Sequence, residues 1–92
     1  MPVVLVPTAY RGPTQGEGRI EVAGATLRAC FDEIEARHPG FRELVVDARS
    51  GGPHRFVKLF VNGELLGREP EVLDRPLSEQ DEVEVLAAIA GG

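Results

Sequence analysis

Little in this chain supports chemistry of its own. There is one cysteine, Cys30, and there are two histidines, His38 and His54, in 92 residues. A single thiol rules out an internal disulfide framework. Two histidines far apart in sequence, with no cysteine or carboxylate cluster beside them, do not make a metal site, so none is expected. Cations are scarce as well: Lys and Arg total 10 against 15 Asp and Glu, for a net charge of −5. A nucleic-acid binder needs a basic stripe, and the sequence has none. No run approaches the roughly 18 apolar residues of a membrane span. The opening Met1-Pro2-Val3-Val4-Leu5-Val6-Pro7 lacks the basic and long apolar regions of a signal peptide, so the cytoplasm is the expected location. Gly16-Glu17-Gly18 lacks the third glycine of a dinucleotide fingerprint, and Ser50-Gly51-Gly52 lacks the Gly-Lys-Ser/Thr of a P-loop. No nucleophile stands with a base, and Glu33 and Glu35 read as a solvated helix face. The chain is not expected to be an enzyme.

What is present reads as one globular domain over residues 1–92, with 42% hydrophobic and 27% charged residues. Residues 3–6 form a short strand stopped by Pro7. Residues 11–18 carry three glycines and a proline and read as a loop. Residues 19–22 alternate polar and apolar, as a half-buried strand does. Residues 26–38 are the main helix. Leu27, Cys30, Phe31 and Ile34 fall at i, i+3, i+4 and i+7 and make one apolar stripe. Thr26 is the expected N-cap, and Pro39-Gly40 ends the helix. Cys30, on that stripe, reads as a buried structural thiol. Residues 41–46 are apolar enough to pack beneath the helix, and 47–53 read as a surface loop.

Residues 55–61 form a strong strand. Asn62-Gly63 is a type I′ turn pair that folds Glu64-Leu65-Leu66 back on it. Residues 67–80 read as irregular, and 82–86 alternate again as the last strand. The order β-β-α-β-β-β points to an α+β fold, a mixed sheet with one main helix packed on one face.

Strand parity separates two faces. Val57, Leu59 and Val61 share one side, and Phe56, Lys58 and Phe60 share the other. Lysine is seldom buried unpaired, so the second side faces water or a partner. Val83 and Val85 face the core, and Glu82, Glu84 and Leu86 face out. If the two strands are neighbours, Phe56, Phe60 and Leu86 form an exposed apolar patch with Lys58, a candidate partner-binding face. Glu79, Asp81, Glu82 and Glu84 read as an acidic strip beside the tail, either a solubilising surface or a steering device toward a basic groove. The tail, residues 87–92, ends in Gly91-Gly92. Without a Cβ it is narrow and flexible. It could thread a channel and present the ionised carboxyl of Gly92 there, or be a frayed end.

The strand order, the segments Phe56-Val57-Lys58-Leu59-Phe60-Val61-Asn62-Gly63-Glu64 and Asp81-Glu82-Val83 through Gly92, and the free Gly-Gly resemble the MoaD/ThiS family of ubiquitin-like β-grasp sulfur carriers. His54-Arg55-Phe56-Val57 and Ala88-Ile89-Ala90-Gly91-Gly92 resemble the actinobacterial carriers of cysteine biosynthesis most. The resemblance implies that an ATP-dependent E1-like enzyme adenylates the Gly92 carboxylate and that a sulfur donor then leaves a thiocarboxylate. Gly92 would be the carrier carbon and Gly91 would keep the thread narrow. The carrier would hold no cofactor itself, with ATP used by the activating enzyme. The implied partners are that enzyme, a sulfur-accepting synthase of cysteine-synthase type, and a metal-dependent peptidase, with no nucleic acid or membrane among them. Alternatives are the small subunit of molybdopterin synthase, a ubiquitin-like modifier of lysines, and a plain β-grasp interaction domain. Two features depart from the family. Glu79-Gln80-Asp81 stands where many relatives have Asp-Gly-Asp, so that turn takes another form. Ala87-Ala88 stands where many have a proline.

Overall fold

The computed structural model describes residues 1–87. Five strands form one mixed sheet: β1 (Val3–Leu5), β2 (Arg19–Glu21), β3 (Val57–Val61), β4 (Glu64–Leu65) and β5 (Glu82–Ala87). Their order across the sheet is β2-β1-β5-β3-β4. β1 runs parallel to β5, and the other neighbours are antiparallel. The last strand therefore lies in the middle of the sheet and hydrogen-bonds on both sides. The expected α+β class, with one main helix on one face, is the observed one.

Helix α1 (Leu27–Arg37) starts where Thr26 Oγ1 accepts the Ala29 N–H at 3.1 Å, the cap read from the sequence. Its stripe, Leu27, Cys30, Phe31 and Ile34, has no solvent exposure. The stripe belongs to one core with Val4 and Ile20 of the first hairpin, Val57, Leu59 and Val61 of β3, and Val83 and Val85 of β5. Gly24 lets the chain pass close under the first turn of the helix. A Cβ there would stand 2.6 Å from the Cys30 nitrogen and 2.8 Å from the Ala29 carbonyl carbon.

Residues 41–46 do pack beneath the helix, as a single turn α2 (Arg42–Val45). Phe41 and Val45 are fully buried, and the Phe31 and Phe41 rings meet at 5.9 Å. The Glu35 carboxylate accepts the Arg42 and Gly40 N–H groups at 2.8 and 3.1 Å, which holds the start of α2. Those two bonds, Arg42 first, hold the Glu35 carboxyl below its usual range.

The segment 67–80 is less irregular than its composition suggests. Pro70–Asp74 forms a 3₁₀ turn that drives Leu73 fully into the core. Proline opens it because its fixed φ suits a helical start. The turn before β5 does take its own form. The Asp81 carboxylate accepts the Ser78 N–H at 2.8 Å and the Asn62 amide at 2.9 Å, so a side chain closes a turn that a glycine would otherwise ease. Asn62 and Gly63 have φ of 51° and 83°, as the type I′ reading requires.

Candidate functional site

The candidate site is the outer face of the sheet together with the end where β5 leaves it. The register of β3 on β5 sets Lys58 opposite Leu86 and Phe60 opposite Glu84. The two strands are neighbours, so Phe60 and Leu86 do share the outer face. Phe60 also stands opposite Leu65 of β4, and Glu84 stands opposite Leu5 of β1. One row thus crosses the whole sheet: Arg19, Leu5, Glu84, Phe60 and Leu65. Leu86 is 40% exposed and Leu65 56%, while Phe60 and Leu5 are half-buried. Apolar side chains this open, set beside the Glu84 carboxylate, are surface that folding has not used.

Leu65 and Leu5 were not in the sequence-derived patch. The signal for Leu65 was present. A two-residue turn at Asn62-Gly63 pairs 61 with 64 and therefore 60 with 65. Leu5 had no such local signal, because its neighbour β5 is nearly eighty residues away in the chain.

Phe56 needs a correction. The strand begins at Val57, and Phe56 sits in the turn before it. That turn closes through the Val57 N–H on the His54 carbonyl at 2.9 Å, and the Phe56 N–H donates to His54 Nδ1 at 3.2 Å. The Phe56 ring has the His54 ring 5.6 Å away and the Arg55 guanidinium 4.7 Å from its centroid. It is 38% exposed, beside the end of the sheet rather than in its rows. Arg68 completes the arrangement. Its guanidinium donates to the carbonyls of Val57 and His54, the second at 2.8 Å. β4 has already ended there, so Arg68 occupies the Val57 carbonyl that a longer β4 would have covered. Nothing in the sequence flagged it.

The acidic strip also moves. Glu79 and Asp81 precede β5, and Ala87 ends it. At ~3.4 Å per residue, Asp81 is about 20 Å from Ala87. Only Glu84 and Leu86 lie toward the tail end, so the strip is not beside the tail. The reason is topological: the acids cluster at the start of the strand and the tail leaves from its finish. The predicted carrier positions Gly91 and Gly92 lie outside the described residues.

Other groups stay structural. Burial first, then the Glu33 charge, pushes the Cys30 thiol up to about 11, which leaves it protonated and inert. His38 Nε2 lies 3.0 Å from Glu17 Oε2 and ties the first hairpin to the end of α1. Among the described residues no three His, Cys, Asp or Glu side chains gather as a metal site, and no helix is long and apolar enough to cross a membrane.

The comparisons with known proteins agree with this geometry. The sulfur carrier protein CysO of Mycobacterium tuberculosis is 37% identical over 90 residues, spanning 97% of this chain and 96% of the relative. A chain of the Amycolatopsis orientalis BexX/CysO complex superposes with a TM-score of 0.84 at 33% identity, covering 100% of both chains. SAMP1 of Haloferax volcanii shares the fold, with a TM-score of 0.72 at 19% identity over 99% of this chain and 98% of its own. The pattern of the ThiS family matches residues 4–92. With that span and that identity across nearly the whole length, this chain belongs to the ThiS family.

Proposed function

We propose that this protein is a sulfur carrier whose Gly92 carboxyl is the carried group. The observation that supports this most is the near full-length likeness to mycobacterial sulfur carriers, together with a ThiS family match that runs through residue 92. Members of this family are small carriers rather than catalysts.

The chemistry follows from the electrophile. A carboxylate, ionised at neutral pH, resists attack because it has no good leaving group. An E1-like enzyme attacks the α-phosphate of ATP with the Gly92 carboxylate. Pyrophosphate departs and an acyl-adenylate forms. A sulfur donor then attacks the acyl carbon, AMP leaves with the electron pair of the broken C–O bond, and a thiocarboxylate remains. The folded domain is the handle for these enzymes, through the face bearing Lys58, Phe60 and Leu86 with Phe56 at its edge. The acceptor is a synthase of the cysteine-forming type. The thiocarboxylate adds there to a dehydroalanine-like acceptor, an S-to-N acyl shift links the new cysteine to Gly92, and a metal-dependent peptidase frees it.

Intact mass spectrometry after incubation with ATP, a sulfide donor and the activating enzyme tests this. An oxygen-for-sulfur exchange confined to Gly92, lost when Gly92 is deleted, supports the carrier. Higher-mass adducts on other proteins would assign a modifier instead, and an unchanged mass would leave a plain interaction domain.

A further inference from the structure

The cations of this chain are distributed in two ways. Away from the tail most are paired: Arg19 with Glu82 at 4.0 Å, Arg28 with Asp74 and Arg37 with Glu33 at 3.0 Å, Arg42 with Asp32 at 2.5 Å, and Arg75 with Glu64 at 3.4 Å. Arg55, Lys58 and Arg68 make no ion pair among the described residues, and neither do the loop residues Arg11 and Arg49. The first three stand together. Lys58 is opposite Leu86, Arg68 holds the Val57 carbonyl, and Val57 is opposite Ala87. Arg55 lies over Phe56, one residue before Val57. His54 is fixed among them by Arg68. A chain of net charge −5 therefore carries a local basic collar at the end of β3 that pairs with the last described residue, while Glu79, Asp81 and Glu82 occupy the opposite end of β5. Glu69 adjoins Arg68 in the chain and Glu84 stands opposite Phe60 of β3, and neither pairs with the collar among the described residues.

We propose that this collar docks on an acidic rim at the mouth of the partner's channel, a ring of protein carboxylates that receives the tail root. This rests on the carrier reading above. Reach decides between the candidate anions. Residues 88–92 span at most about 17 Å when fully extended. With the terminal carboxyl at the reacting centre of a partner, Ala87 and the collar lie up to that distance outside it. Nucleotide phosphates belong at the centre, and the collar meets the mouth. The charge separation along β5 then orients the approach. The tail end is drawn to the acidic rim, and the acidic end is repelled from it. Arg55 and Lys58 are the contacting residues. Arg68 acts through them as a positioning residue, because its guanidinium is engaged by two carbonyls.

The test needs no sulfur transfer, so its failure would not be confused with failure of the carrier reading. The ¹⁵N-labelled full chain is titrated with hexaglutamate, and separately with AMP, at low salt, following backbone amide shifts. The proposal expects hexaglutamate to shift residues 54–58 and 68 severalfold more than residues 79–84. The response should fade at high salt and vanish in R55E/K58E, while AMP leaves these residues unmoved. Thermal unfolding confirms that the double variant is folded. If it is not, R55Q/K58Q serves, with the same loss expected. Shifts spread evenly over the chain, a response that survives charge removal, or an AMP response at the collar equal to that of hexaglutamate would overturn it.

Discussion

The two faces of the β3–β5 ladder come from the same residues in alternation, and they obey different rules. On the inner face Val57, Leu59, Val61, Val83 and Val85 are at most 2% exposed and belong to one core with the stripe of α1. On the outer face Lys58, Phe60, Glu84 and Leu86 mix charge with hydrocarbon, and Leu86 keeps 40% of its surface open. Burial supplies the folding free energy on the inner side. The outer side contributes little to folding, so its composition is free to be set by recognition. Stability and function are separable here across the thickness of a single sheet.

The strongest way to break that separation is a matched pair of truncations. Leu59→Ala should lower the unfolding free energy by about 3 kcal/mol in urea titrations, as cavity-forming core changes do. Leu86→Ala, on the neighbouring strand, should cost well under about 1 kcal/mol. Equal losses would mean that the outer face is also structural.

Gly24→Ala tests the inner layer from the helix side. The added Cβ meets backbone at 2.6 Å, which a side-chain rotation cannot relieve. A loss of about 2 kcal/mol is expected, seen as a lowered Tm. Phe60→Lys sharpens the outer side. It places a cation opposite Glu84, so stability should change by less than about 1 kcal/mol. Activation by the E1-like enzyme should nevertheless fall at least about tenfold in kcat/KM, equivalent to ~1.4 kcal/mol. Unchanged kinetics would remove this face from docking.

The smallest expected effect is in acid. The Ser78 N–H and then the Asn62 amide hold the Asp81 carboxyl below its ordinary value of 3.8. A depressed carboxyl contributes stability above its unfolded pKa and loses it as pH falls through the folded one. Stability should therefore decline below about pH 4, and Asp81→Asn should flatten part of that decline in pH-dependent urea midpoints. Glu35, depressed by its two backbone donors, adds to the same limb and remains in the variant.

Much of this fold was legible in order along the chain. The helix stripe, the Thr26 cap, the Asn62-Gly63 turn and the strand parity are all local, set within a few residues by backbone geometry and side-chain period. The 3₁₀ turn at Pro70–Asp74 was not legible, because only the burial of Leu73 against the helix selects it. Phe56 was read as a strand residue because its parity fits. The competing bonds of His54 and Arg68 to the backbone end the strand at Val57. Leu5 joined the outer row only through a parallel pairing between opposite ends of the chain.

By itself, then, the sequence determined which residues of the main helix and the strands face inward and where that helix and the Asn62-Gly63 turn lie, since period and capping are short-range. Its likeness to a family of carriers also indicated the Gly91-Gly92 end. Only the tertiary structure decided which strands are neighbours and which end of β5 meets which charge. The antiparallel register of β3 brings Arg55, Lys58 and Arg68 to the tail root and leaves Glu79 and Asp81 at the far end. That pairing joins residues 22 to 30 apart in the chain, from Val61 with Val83 to Val57 with Ala87, and it is fixed by burying both inner faces against α1 at once, which no local pattern encodes.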